Sequence, residues 1–209
     1  MKYTLSTLVL FISLTSANAQ TNDTADIKKV FKEYKSAILN DQANDALNAI
    51  DKKTINYYKS ILSEVKTADS NKISAMSSID KITVLGIRAM ATNEEILDMQ
   101  DSDAFLFAIK NGLVGKNSVI NNSVGDITVD KNFAKGELLV QGKKTAVFFH
   151  FYKESEGWKL NLTELFSLAN ASLKKMIKDS GKTENEYLIV ILGLLSGKTL
   201  TSEIWNPIK

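Results

Sequence analysis

The sequence predicts an α+β domain built on a curved four-stranded antiparallel meander, with helices before it and two helices after it. Three observations predict it. Apolar residues recur at helical spacing from Thr24 to about Ile109. Four short runs rich in β-branched and aromatic residues then follow one another, separated by turn-competent connectors. Finally, two helical patterns occupy residues 165–195. No Pro/Gly/Ser-rich linker or internal repeat divides the chain, so one domain is expected.

In the first helix, Ile27, Val30, Phe31, Tyr34 and Ile38 share a face, with Thr24 or Asp26 as its N-cap. Leu47 and Ile50 continue on a short second helix beyond the polar break Asn40-Asp41-Gln42. Tyr57, Tyr58, Ile61, Leu62 and Val65 form a third apolar face that ends at Asp69-Ser70-Asn71. Residues 79–91 are apolar enough for a buried helix. Thr92-x-x-Glu95 is a capping box for the next one, and Ala104 to Ile109 forms another. Gly112 and Gly115 close this helical half.

Val124–Val129, Phe133–Val140, Thr145–Tyr152 and Trp158–Leu162 read as strands, joined through Asp130-Lys131-Asn132, Gly142-Lys143 and Glu156-Gly157. Connectors this short make neighbouring strands antiparallel. The third strand is apolar or aromatic on both faces, with Val147, Phe149 and Phe151 one way and Phe148, His150 and Tyr152 the other, so each face is expected to be covered. Leu165, Leu168, Ala169, Leu173, Met176 and Ile177 then mark an amphipathic helix. Thr183-x-x-Glu186 caps a last helix, YLIVILGLL, apolar all round and therefore expected in the core or in a subunit interface.

The chain has 209 residues, 44% hydrophobic and 24% charged, with a net charge of +2. So even a balance gives no electrostatic case for nucleic acid. With no cysteine, disulfides, thiolate metal sites and a Cys nucleophile are excluded, and with one histidine so is a two-His metal motif. No metal and no cofactor is expected. Lys2, the apolar run Leu5–Leu14 and the small-x-small triplet Ala17-Asn18-Ala19 read as a signal peptide over residues 1–19. The run is too short to span a bilayer core, which needs about 20 residues. Export to the periplasm or beyond, with cleavage after Ala19 and no stable membrane anchor, is the expectation. Arg88 is the only arginine among many lysines, a bias that suggests an AT-rich bacterial genome.

The string VFKEYKSAILND (residues 30–41), followed by a meander ending in GWKLNL, resembles the NTF2-like superfamily of cone-shaped folds, over residues 27–50 and 119–165. The resemblance implies a curved sheet wrapped around helices to form a pocket, with residues 53–118 as a helical insertion within one domain, 20–209. It does not imply one activity, because that superfamily hosts ketosteroid isomerases, dehydratases and non-catalytic modules. VGKNSV (114–119), LFSLANA (165–171) and IWNP (204–207) are similar to strings in a group of bacterial exported proteins. Tyr34 falls where ketosteroid isomerases carry an oxyanion-hole tyrosine, but no carboxylate aligns with their catalytic base.

His150, with Glu137 on the neighbouring strand as its carboxylate, is the one candidate acid–base pair, provided the register brings them together. Asn161 and Thr163 are alternative partners for a neutral imidazole. Arg88, in an apolar run, is expected to pair with Asp98, Asp101 or Asp103, or to anchor an anionic ligand. Those aspartates lack the central glycine and terminal glutamate of a calcium loop. Residues expected around a ligand are Tyr34, Arg88, Phe148, His150 and Tyr152, with Tyr58 and Phe149 among the aromatics able to line a cavity or fill a core. The role these features favour is non-catalytic, holding a small apolar ligand or a protein partner. An isomerase- or dehydratase-like enzyme using His150, and a homodimeric interaction module built on the sheet or on residues 187–195, are the alternatives.

Overall fold

The computed structural model describes residues 14–208; residues 1–13 of the expected leader lie outside the described residues. The domain is α+β, and its four strands form one antiparallel sheet in the order β1-β2-β3-β4. They are β1 (Asn122–Asp130), β2 (Phe133–Val140), β3 (Lys143–Glu154) and β4 (Gly157–Asn161). Two-residue turns join them, as the pairings Asp130↔Phe133, Val140↔Lys143 and Glu154↔Gly157 show. In the second turn both Gln141 and Gly142 have positive φ, 51° and 76°, the primed geometry whose twist matches that of the flanking strands. Register shifts at Val124/Ile127 and Glu137/Leu139 bend the ladder locally.

Before the sheet come α1 (Leu14–Leu39), α2 (Ala43–Ala49), α3 (Lys52–Thr67), α4 (Ser70–Ala75), α5 (Ser78–Met90), α6 (Asn93–Asp98) and α7 (Asp103–Lys110). After it come α8 (Phe166–Asp179) and α9 (Glu184–Ser196). The apolar run 79–91 is helical as far as Met90, with Ala91 as the C-cap, and is largely buried. The capping boxes at Thr92/Glu95 and Thr183/Glu186 both form. α4, with Asp69 as N-cap, occupies a stretch where the pattern shows only an end to α3.

α1 does not start at Thr24 or Asp26 but runs through both. The turn ahead of them is held by the sheet: Asp23 Oδ1 accepts from Lys153 Nζ at 2.7 Å and from Trp158 Nε1 at 2.8 Å. α1 lies along the inner face of the sheet, and its Phe31 packs on Phe149 with ring centroids 4.6 Å apart. Phe149, Phe151, Trp158 and Leu160 carry that face into the core.

The opposite face of β3 is not covered as its apolar pattern predicts. Phe148 is 42% exposed, and His150 and Tyr152 are half-buried. α9 departs in the same way. Only Leu188 and Leu192 are buried, whereas Leu194 is 74% exposed and Leu195 50%. A helix at the edge of the domain is covered on one side only, here mainly by α5 with α8 beside it, so an all-round apolar sequence leaves its far side bare. Gly86 on α5 permits this crossing, since a Cβ there would meet Leu113 Cδ2 at 2.6 Å and Leu192 Cδ2 at 3.3 Å. Lys81, itself buried, locks it with an ion pair to Glu184 of 2.5 Å, and Ser78 donates to the same carboxylate.

Candidate functional site

Alternation along β3 sends His150 and Phe149 to opposite faces of the sheet, and this separates the two places where chemistry was expected. On the outer face, Lys135 pairs with His150 and Glu137 with Phe148. Glu137 turns to Lys144, whose Nζ lies 2.9 Å from Glu137 Oε2, so the anticipated His150–Glu137 pair is not brought together. The carboxylate facing His150 is Glu164, with Oε2 at 3.7 Å from Nδ1, too far for a hydrogen bond. Lys53 holds Glu164 at 2.8 Å and keeps its pKa below the ordinary carboxylate range. Phe133 stands edge-on to the imidazole at 5.2 Å.

Asn161 lies opposite His150 in register, but its side chain is committed elsewhere. Its Nδ2 donates to Asp51 Oδ2 at 2.6 Å, and its Oδ1 accepts from Thr163 Oγ1 at 2.7 Å. Among the described residues no hydrogen bond therefore sets the tautomer of His150, as a general base requires. Burial pushes the His150 pKa below its ordinary 6.5, against the opposing pull of Glu164, so the ring is neutral at pH 7. The unfolded chain then binds more protons than the folded one just below pH 6.5. Stability from this residue is complete above that pH and declines as the solution is acidified through the window. Melting temperatures of wild type and His150→Gln at pH 8 and pH 5 should show a smaller acid loss in the variant; an equal loss would refute it.

Arg88 is buried, with 6% of its surface exposed, and it does not pair with Asp98, Asp101 or Asp103. Asp101 meets Lys59 at 2.8 Å, and Asp103 accepts from Gln100 N. The guanidinium instead donates to four backbone carbonyls: Nε to Val65 O at 2.8 Å, Nη2 to Ala68 O at 2.7 Å and Glu64 O at 3.2 Å, and Nη1 to Ile204 O at 3.1 Å. Three of these belong to the end of α3, where free carbonyls and the negative end of the helix dipole call for a cation. Arg88 staples α5 and α3 to the C-terminal segment, with nearly all its donors spent.

On the inner side of the sheet a cavity of about 220 Å³ opens between the helices. α1 contributes Phe31 and Tyr34, α3 Tyr58, the sheet Phe149 and Leu160, and α5 Ile79, Ile82 and Thr83. Leu165, Phe166 and Ala169 close it from the side of α8, and Leu113, Val114, Gly115 and Ser118 from the segment before β1. That segment is tied to α1, where Lys35 Nζ donates to Ile120 O and Asn122 O, both at 2.8 Å. Ile79, Ile82, Phe166 and Ala169 are half-buried, so the cavity reaches the surface between α5 and α8. None of its lining residues is charged.

Three larger clefts differ in kind. One of about 630 Å³ lies between α1, α2 and the β3–β4 turn, walled by solvated charges such as Lys29, Glu33, Asp45 and Glu156. A second, of about 510 Å³, runs beside the C-terminal segment and includes Lys198 and Glu203. A third, of about 360 Å³, is bordered by Glu64, Lys72 and Asp80. Ligand sites are mostly apolar, with a few placed polar groups, and only the smallest cavity has an uncharged lining of that make-up.

Of the residues expected around a ligand, the structure places Tyr34 in this cavity. It gathers Phe148, His150 and Tyr152 on the outer sheet face and sets Arg88 in its staple. Ile79, Ile82, Leu113 and Phe166 enter the wall without having been singled out. Their sequence signal was an apolar residue on an amphipathic helix or beside a glycine, which core residues share. No known family model, curated protein or solved structure matches the chain.

Proposed function

We propose that the protein is a non-catalytic binding protein that holds a small apolar molecule in the cavity between α1, α3, α5, α8 and the inner face of the sheet. The observation that carries this reading is the uncharged, aromatic-rich lining of that 220 Å³ space, open to the surface between α5 and α8. The volume lies below the roughly 300–1,000 Å³ of typical ligand pockets, which suits a compact molecule. His150, the only imidazole, stands on the other side of the sheet, and this favours binding over acid–base chemistry. Within this reading the chain is an NTF2-like cone with a helical insertion, exported and acting in the periplasm or outside the cell.

Native mass spectrometry of the protein purified from its own compartment, compared with the denatured spectrum, tests the proposal. A small molecule should appear in the native spectrum alone. Ala169→Trp, which places an indole in the mouth of the cavity, should abolish that extra mass while leaving the fold intact. A bare native mass for the wild type, with no apolar probe bound either, would sink the reading.

A second reading rests on α9. Leu194, Leu195 and the 46%-exposed Val190 form an apolar face on one edge of the domain, the kind of surface that marks association between molecules. A homodimer in the native spectrum that is lost in Leu194→Lys would favour an interaction module.

A further inference from the structure

α9 has no side made for water. No charged residue lies between Glu186 and Lys198, and the helix covers only Leu188 and Leu192 against α5. Val190 and Leu195 are left about half exposed, and Leu194 is nearly bare. α8 rests on α5 as well, but its outer side mixes Leu168 with Ser172, Lys175 and Lys178, as a solvated helix does. A helix apolar all round needs an apolar medium wherever the fold does not supply one.

The charge left unspent around this strip is positive. From Phe166 to Leu200 the chain has five lysines and three acids. Asp179 is paired with Lys175, Glu184 with Lys81 of α5 at 2.5 Å, and Glu186 accepts from Thr183 N at 2.9 Å and from its hydroxyl at 2.7 Å. Lys198 donates to Ala89 O at 3.1 Å, with Glu95 in range of its charge. Lys174, Lys178 and Lys182 are exposed and have neither an ion pair nor a hydrogen bond among the described residues. Glu184 and Glu186 act on Lys174 and Lys182 only across a longer gap. These three lysines gather at the N-terminal end of α9, and the bare leucines lie at its other end.

We propose that α9 and these lysines form a docking surface for an anionic lipid bilayer: Val190, Leu194 and Leu195 sink into the headgroup boundary while Lys174, Lys178 and Lys182 meet the phosphates. A second copy of the chain suits the strip less well. From Tyr187 to Ser196 its footprint is about 15 Å by about 10 Å, roughly 150 Å², whereas a stable pair buries about 800 Å² on each partner. A bilayer needs no such area. An interfacial helix sinks its apolar side by about 5–10 Å and gains further from each cation near an anionic surface. The contact is a reversible docking rather than an anchor, since no helix among the described residues is long and apolar enough to cross a membrane. No residue of α9 lines the cavity, so the proposal stands whether or not the cavity holds a ligand.

Co-sedimentation of the purified protein with vesicles tests it. Vesicles of equal parts phosphatidylglycerol and phosphatidylcholine should carry the protein down with an affinity on the order of a hundredfold above that for pure phosphatidylcholine, the gain from three cations near an anionic surface. Raised salt should erase most of that difference. Leu194→Glu should abolish binding to both vesicles yet melt within about 2 °C of the wild type, because the residue is exposed. Lys174→Gln/Lys178→Gln/Lys182→Gln should keep the weak binding to neutral lipid and lose the preference for the anionic one. Equal binding of the wild type to the two vesicles, binding that survives Leu194→Glu, or an anionic preference that survives the triple variant overturns the proposal. So does a wild type that stays in the supernatant with anionic vesicles; if native mass spectrometry then shows a dimer that Leu194→Glu dissociates, the face belongs to a second copy.

Discussion

Arg88→Met should lower the melting temperature by on the order of 10 °C. Methionine fills much of the same volume but leaves the carbonyls of Val65, Ala68 and Ile204 without that donor, while Glu64 O keeps its bond from the N–H of Ala68. Each buried polar group deprived of a partner costs about 1–3 kcal/mol, and some of the three will recover water at the surface. A loss of about 3 kcal/mol is therefore the reasonable size, and for a chain of this length each kcal/mol shifts the melting temperature by about 2–4 °C. Arg88→Lys should recover only a part of it. An ammonium is a compact donor and cannot reach the end of α3 and the carbonyl of Ile204 from one position, as the planar fork does. Thermal unfolding followed by circular dichroism checks both variants. An Arg88→Met protein that melts within 2 °C of wild type would show that the staple carries little of the stability.

The second large effect lies at the junction of α3 with β4. Asp51 is buried and accepts twice, from Thr54 N at 2.8 Å as the N-cap of α3 and from Asn161 Nδ2 at 2.6 Å. Its own N–H donates to Leu160 O at 3.0 Å, and Thr54 Oγ1 accepts from Leu162 N at 3.0 Å. Three polar side chains, all buried, thus weld a helix start to the end of the last strand. Asp51→Ala removes a cap worth about 1 kcal/mol and strands the amide of Asn161, for about 1–3 kcal/mol more. The expected loss is about 3 kcal/mol. Because the two residues share one bond, Asp51→Ala and Asn161→Ala should not add: the double variant should lose about 1 kcal/mol less than the sum of the singles. Denaturant unfolding of the four proteins gives the cycle directly, and additive losses would contradict the weld.

Several elements were legible because their determinants sit within a few residues of one another. Phe133–Val140 is a strand with the limits its alternation suggests. Thr92 and Thr183 cap their helices as their glutamates three residues on require, and the connectors between strands make two-residue turns. The start of α1 was not legible, because it is stabilised by Lys153 and Trp158, far along the chain. The same holds for the candidate site. Tyr34 was visible as an aromatic on an apolar face, but its place in one cavity with Tyr58 follows only from how α1 and α3 close on the sheet. The partner of His150 turned on strand register and on Glu164, which belongs to the 3-10 turn after β4 rather than to a strand.

Arg88 sums up the division. Its oddity among lysines and its place in an apolar helix were plain in the sequence, and they identified a buried arginine. The nearby aspartates suggested ionic partners, but backbone carbonyls at a helix end, with no residue identity to announce them, proved to be the acceptors. Short-range chemistry alone determined the α+β class, the meander and the caps, because hydrophobic period, capping and turn preference act over a few residues. Register, the bare outer faces of β3 and α9, and the apolar cavity were decided by tertiary closure. They depend on which surfaces meet when the elements close on one another, and a helix or strand has the same local pattern whether its apolar side meets a neighbour, a ligand or water.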